Sequence, residues 1–116
     1  MKINNLEQLE LSLQSSLSTI QNEFDNYQKK FFVARSPEFF CLELNGEAGE
    51  LANLEKKQWK GRNIEPEKFA DEAADVFIAL LNYVNARGIS LENAVIDKLY
   101  KIENIRQERA ENGLTY

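Results

Sequence analysis

The sequence contains no histidine. That absence excludes Ser-His-Asp and Cys-His nucleophilic sites and any zinc or iron centre held by imidazole. It also excludes the Glu-x-x-His pattern of di-iron helical bundles. Cys41 is the only cysteine, so no intrachain disulfide can form, which fits a reducing cytoplasm. It reads as a small core residue. Positive charge is scarce: 14 Lys and Arg face 19 Asp and Glu, for a net charge of −5 and a pI near 4.8. With no basic surplus to meet a polyanion, nucleic acid is not expected as a partner. No apolar run is long enough to span a bilayer. The opening MKINNLEQLE is polar and lacks the apolar stretch of a secretory leader. Neither a membrane nor secretion is therefore expected.

What remains is the composition of a globular protein, with 43% hydrophobic and 10% aromatic residues in 116. That length predicts one domain with a modest core. Apart from Gly46 and Gly49, the two prolines and five glycines fall where helices should start or stop. Leu6, Leu9, Leu13, Leu17, Ile20, Phe24, Tyr27 and Phe31 step by three and four, predicting a first helix over about 6–34. Ser36-Pro37 pairs an N-cap with proline at the first helical position, opening a second helix that stops near Trp59 and Gly61. Residues 62–65 form a polar loop. Pro66 opens a third helix, which ends at Arg87 and Gly88. Ser90 caps a fourth, with Glu92 in its first turn, fading near Asn112-Gly113. No alternating strand pattern longer than a few residues is present. The predicted class is all-α, a bundle of four or five helices.

Two short acidic patterns stand out: Glu47-x-x-Glu50 and Glu72-x-x-Asp75. A spacing of three sets both carboxylates of a pair on one helical face. Glu43, Glu47 and Glu50 fall within roughly 60° of one another, and Glu72, Asp75, Ala79 and Asn82 make a similar stripe. Acidic stripes are most often solvated faces. A solvated face usually sets Lys or Arg three or four residues after Glu, each pair contributing roughly 0.2–0.5 kcal/mol. The fourth helix does so at Asp97/Lys101 and Glu103/Arg106. The second and third do not: Leu51, Asn53 and Leu54 follow the first pair, and Ala79 follows Asp75. The neighbours of these carboxylates are other carboxylates.

The surroundings sharpen the conflict. Glu72 and Asp75 lead into Val76-Phe77-Ile78-Ala79-Leu80-Leu81, apolar on every side and so expected to be a central helix. Buried carboxylates without a cation raise their pKa or destabilise the fold. A divalent ion removes both penalties. Oxygen ligands without histidine select Mg²⁺, or Mn²⁺ in its place. Gly46 and Gly49 cost a helix interior about 1 kcal/mol each relative to alanine. They point to close approach by a ligand or neighbouring helix, or to tight packing alone.

Taken together, these residues resemble the MazG-like all-α nucleoside triphosphate pyrophosphohydrolases. The signature there is E-E-x-x-E followed by E-x-x-D, and Glu47/Glu50 and Glu72/Asp75 match it with 21 residues between Glu50 and Glu72. Further matches are Asp25-Asn26-Tyr27-Gln28, Gly46 to Leu51, Lys56-Lys57, Arg62, Gly88-Ile89-Ser90-Leu91-Glu92 and Lys98-Leu99. The resemblance covers residues 25 to about 106. One position departs: Gly46 stands where the first Glu of the doubled pair is usual. Glu43, one turn before Glu47, is then a candidate to activate water.

The resemblance implies Mg²⁺-dependent hydrolysis of a (deoxy)nucleoside triphosphate to the monophosphate and pyrophosphate, in nucleotide-pool house-cleaning. Glu47, Glu50, Glu72 and Asp75 would hold the metal, with Glu43 and Glu47 as the catalytic carboxylates. Phosphoryl-type hydrolysis needs neutralised phosphate oxygens and an oriented water, which clustered carboxylates and their cations supply. Lys57 lies on nearly the same face as Glu50 and can reach a phosphate, though it also fits a surface lysine. Lys98 matches a basic position of the family. Asn82 lies on the Glu72/Asp75 stripe inside an apolar helix, where it needs a hydrogen-bond partner. Phe31, Tyr27 or Trp59 can stack on a base, with core packing as the ordinary alternative. The aromatic load of Phe24, Phe31, Phe32, Phe39, Phe40 and Phe77 exceeds what a small bundle easily buries. With the resemblance, it predicts a homodimer or homotetramer. Two other classes fit the same residues: a non-catalytic divalent-cation-binding bundle, and a helical module whose acidic stripe meets a basic partner.

Overall fold

A computed structural model describes residues 4–115; the first three residues, part of the polar opening, and the last residue lie outside that range. Among the described residues all regular structure is helical: α1 (Asn5–Phe31), α2 (Pro37–Trp59), α3 (Pro66–Arg87) and α4 (Leu91–Glu111). The class is all-α with four helices. Among the described residues no helix is long and apolar enough to cross a membrane.

Local chemistry accounts for the boundaries. Asn4 Oδ1 accepts the Glu7 N–H at 2.8 Å while Glu7 Oε2 accepts the Asn4 N–H at 3.3 Å. This reciprocal capping box satisfies two otherwise orphaned donors at the start of α1. The helix ends at Phe31, three residues before the expected Ala34. Its last bond runs from Phe32 N–H to Gln28 C=O at 3.0 Å. Residues 33–36 must leave helical geometry, because Ser36 caps α2 from an extended conformation (φ −75, ψ 159) and precedes proline. Ser36 Oγ accepts the Phe39 N–H, and Pro37 sits at the first helical position. Gly88 closes α3 with φ 73, a left-handed conformation that suits a residue without a side chain. Ile89 N–H then reaches Val84 C=O at 2.9 Å and Gly88 N–H reaches Asn85 C=O at 3.3 Å, a Schellman closure. The same pair of bonds closes α2 at Gly61 and Arg62.

The chain divides into two compact units. One combines the first part of α1 with α4. There Ser18 Oγ donates to Glu92 Oε1 at 3.0 Å, and Tyr100 OH donates to Glu10. These pairings run the two helices antiparallel. Gln21, the one buried residue of α1, accepts the Leu91 N–H on Oε1 at 3.0 Å, while Ser90 Oγ accepts the Asn93 N–H. Two orphan donors of α4 are satisfied in this way.

The other unit, residues 24–89, holds the end of α1 with α2 and α3, which pack as an antiparallel helical hairpin. Its buried residues are Phe40, Ala79, Leu81, Asn82 and Val84. Two expectations change here. Phe77 and Ile78 remain 46% and 43% exposed, so the apolar stretch of α3 is not enclosed by this chain. Cys41 is exposed, one position along α2 from buried Phe40, where the 100° step turns it outward.

Candidate metal centre

The antiparallel packing of α2 on α3 decides which carboxylates meet. Glu47 and Glu50 are one turn apart on α2, and Glu72 and Asp75 one turn apart on α3. Oxygen atoms of Glu47, Glu50 and Glu72 lie within 4.8 Å of one another, and so do oxygens of Asp71, Glu72 and Asp75. Glu72 belongs to both groups. The four carboxylates singled out in the sequence are therefore contiguous, and Asp71 makes a fifth. Its signal was its spacing of four from Asp75, which shares a helical face as readily as a spacing of three.

The cluster is charged beyond what its surroundings balance. The ion pairs among the described residues are Lys29–Asp25, Arg87–Glu38 and Arg106–Glu103, and none engages it. Glu47 and Glu72 are half-buried, and the Oε2 atom of each is buried without a hydrogen-bond partner. Desolvation, then the neighbouring charges of Glu50 and Asp75, raise the Glu47 pKa above the ordinary carboxylate value. Glu72 is pushed up to about 7, by desolvation first and then by Glu50 and Glu47, whose carboxylates can share its proton. Orphaned buried oxygens and raised pKa values are what half-buried carboxylates crowded together without a counter-charge produce. The donor set is all oxygen, which suits a hard divalent ion such as Mg²⁺ or Mn²⁺.

No family model, curated protein or solved structure matches the chain. The reading of the site therefore stands on its own residues.

The other candidate residues distribute unevenly. Glu43 is exposed, one turn before Glu47, and borders a cleft that also contains buried Asn82. Lys57 is half-buried in the last turn of α2. Phe31 is 63% exposed at the end of α1, its ring tilted against that of Tyr27 with centroids 5.5 Å apart and Lys30 over its face. Phe32, its neighbour, lines the cleft instead. Lys98 is exposed on α4, in the first unit, whereas the carboxylate cluster is built entirely within the second. Gly46 and Gly49 are exposed, and a Cβ at either would meet nothing within 4 Å. Tight packing inside this chain does not explain them.

Proposed function

We propose that the protein is an Mg²⁺-dependent nucleoside triphosphate pyrophosphohydrolase of the MazG-like type, working in the cytoplasm on the nucleotide pool. The observation that carries this reading is the carboxylate cluster across α2 and α3 with two buried, unpartnered oxygens. Glu47, Glu50, Glu72 and Asp75 hold the ion, and Asp71 extends the set. Bound Mg²⁺ supplies charge neutralisation at phosphate oxygens and a more acidic water. Glu43 then orients the attacking water or takes its proton, from an exposed position one turn away. Lys57 contacts the phosphates. The aromatic residues at the end of α1 are further substrate contacts of this reading.

A homodimer or homotetramer completes it. The exposed Phe77 and Ile78 on α3 and the exposed aromatics Phe31, Phe32 and Phe39 supply the apolar surface such an assembly covers. The deciding experiment incubates the protein with a panel of ribo- and deoxynucleoside triphosphates and Mg²⁺, and identifies the products. Pyrophosphate and monophosphate are expected in equal amounts. Glu47→Gln and Asp75→Asn should each lower turnover by orders of magnitude, and the double variant should lose little more than either. Glu43→Gln should keep metal binding and lose most turnover. Full activity in the Glu47→Gln/Asp75→Asn double variant removes the cluster from the chemistry.

A further inference from the structure

Asparagine is followed by glycine at two places in the chain, Asn45-Gly46 and Asn112-Gly113. The pair carries its own chemistry. The backbone nitrogen after an asparagine can attack the side-chain carbonyl carbon, and glycine leaves that approach unhindered because it has no side chain. The bond that forms closes a five-membered succinimide. The attacking nitrogen gives up its proton, and the carboxamide nitrogen leaves as ammonia. Water then opens the ring at either carbonyl, giving aspartate or isoaspartate. The sum is amide plus water to carboxylate plus ammonium, with no oxidant, metal or enzyme required.

The fold treats the two pairs differently. Asn45 lies inside α2, in the hairpin with α3. A helical side chain leans toward the helix N-terminus, away from the next backbone nitrogen, and that nitrogen is held in the i→i−4 ladder. Attack there requires the middle of α2 to open. Asn112 is the C-cap of α4, already outside helical geometry at φ −94 and ψ 11, and both it and Gly113 are exposed. Two contacts hold this pair short of reaction. The carboxamide donates from Nδ2 to the Glu108 carbonyl at 3.0 Å, and Gly113 N–H donates to the Ala110 carbonyl at 3.0 Å. Both contacts belong to the last turn, and helix ends fray at little cost in free energy. One fraying event therefore releases nucleophile and electrophile together.

We propose that Asn112 is a spontaneous deamidation site and that its conversion unfastens the end of α4. The Asn112 carboxamide is a donor to the Glu108 carbonyl, and a carboxylate cannot donate. The new negative charge stands at the negative end of the helix dipole, next to Glu111 in sequence and one turn from Glu108. The nearest cation in sequence, Arg109, is engaged with the Thr115 carbonyl. Isoaspartate also adds a methylene to the backbone between 112 and 113. That breaks the register of the closure in which Leu114 N–H meets the Arg109 carbonyl at 2.8 Å. Each product opens the turn further, so the change is one-way. The site lies in the first unit and does not rest on the reading of the carboxylate cluster in the second.

The test is peptide mapping by mass spectrometry on protein aged at neutral and mildly alkaline pH, with isoaspartate counted by enzymatic methylation of its carboxylate. In the folded protein Asn112 should convert faster than Asn45 by roughly tenfold or more, because a frayed end opens far more often than a packed helix interior. In urea the two rates should converge to within about twofold, since neither pair is then held by structure. Conversion should quicken with pH, because the attacking nitrogen must lose its proton. Asn112→Gln, whose extra methylene disfavours the five-membered ring, should leave that peptide unmodified. Hydrogen exchange should be faster over 110–115 in Asn112→Asp and in the aged protein than in fresh wild type. An Asn112 that stays intact after the unfolded chain has converted, or that merely keeps pace with Asn45 in the folded protein, overturns the site. Unchanged exchange over 110–115 in both Asn112→Asp and the aged protein overturns the unfastening.

Discussion

Glu47 on α2 and Glu72 on α3 each bury one carboxylate oxygen that no donor reaches. The two helices pack against each other in spite of this, so the apolar contacts of the hairpin carry an electrostatic penalty at its centre.

That penalty gives metal-free stability a defined pH dependence. Glu72 titrates at about 7 in the folded protein against an ordinary value of 4.5. Between those values the folded state binds more protons than the unfolded state, so stability falls as pH rises through the window. Below about 4.5 the group is protonated in both states and contributes nothing. Glu47 shifts in the same direction, whereas lowered Glu38 and Glu103 act at the acid end in the opposite sense. Melting curves in chelator should show the decline, and Glu72→Gln should flatten it. Stability that climbs across the window in chelator contradicts this account.

Mg²⁺ or Mn²⁺ should raise the melting temperature most on the alkaline side of that window, where the carboxylates are charged. A ligand at a hundredfold its Kd adds about 2.7 kcal/mol to the folded state when it does not bind the unfolded one. Glu47→Gln and Asp75→Asn should abolish the rise and leave the helical content intact. Differential scanning fluorimetry with and without metal reads both. An undiminished metal response in both variants separates the ion from this cluster.

Gly46→Ala and Gly49→Ala should each stabilise the free protein by roughly 0.5–1 kcal/mol, because a Cβ meets open space and alanine favours helix. Urea unfolding measures the gain. A stabilised variant with weakened nucleotide binding or altered mass assigns the glycines to approach by a ligand or a second copy. Destabilisation by either alanine contradicts the open-space geometry.

Light scattering should give a multiple of the 13.4 kDa chain mass at micromolar concentration. No large side chain is fully buried among the described residues, while Phe32, Leu42, Phe77 and Ile78 stay exposed. Phe77→Glu should lower the mass without unfolding α3. A monomeric wild-type protein refutes the assembly.

Most helix boundaries were legible because particular residues punctuate them. Ser36, Pro37, Pro66 and Ser90 start helices through local capping and ring geometry, and Gly61 and Gly88 stop them through left-handed turns. The end of α1 was less legible: the apolar rhythm continues past Phe31, but the conformation needed at Ser36 reaches back to interrupt it. The pairing of carboxylates on α2 and α3 followed from helical spacing and missing cations. Asp71 was passed over because a search at spacing three does not visit it. The exposure of Phe77 and Ile78 was not legible at all, since periodicity reports apolarity and says nothing of what covers it.

Trp59 is the sole tryptophan and is 90% exposed, at the end of α2 among Lys56, Lys57, Lys60 and Arg62. Its indole already sees water in the folded chain, so its emission changes little when the chain unfolds. The same position makes it a built-in optical reporter for events at that end of the helix. A second subunit or a polyphosphate settling there alters the solvent around the ring, and the spectrum registers it without a label.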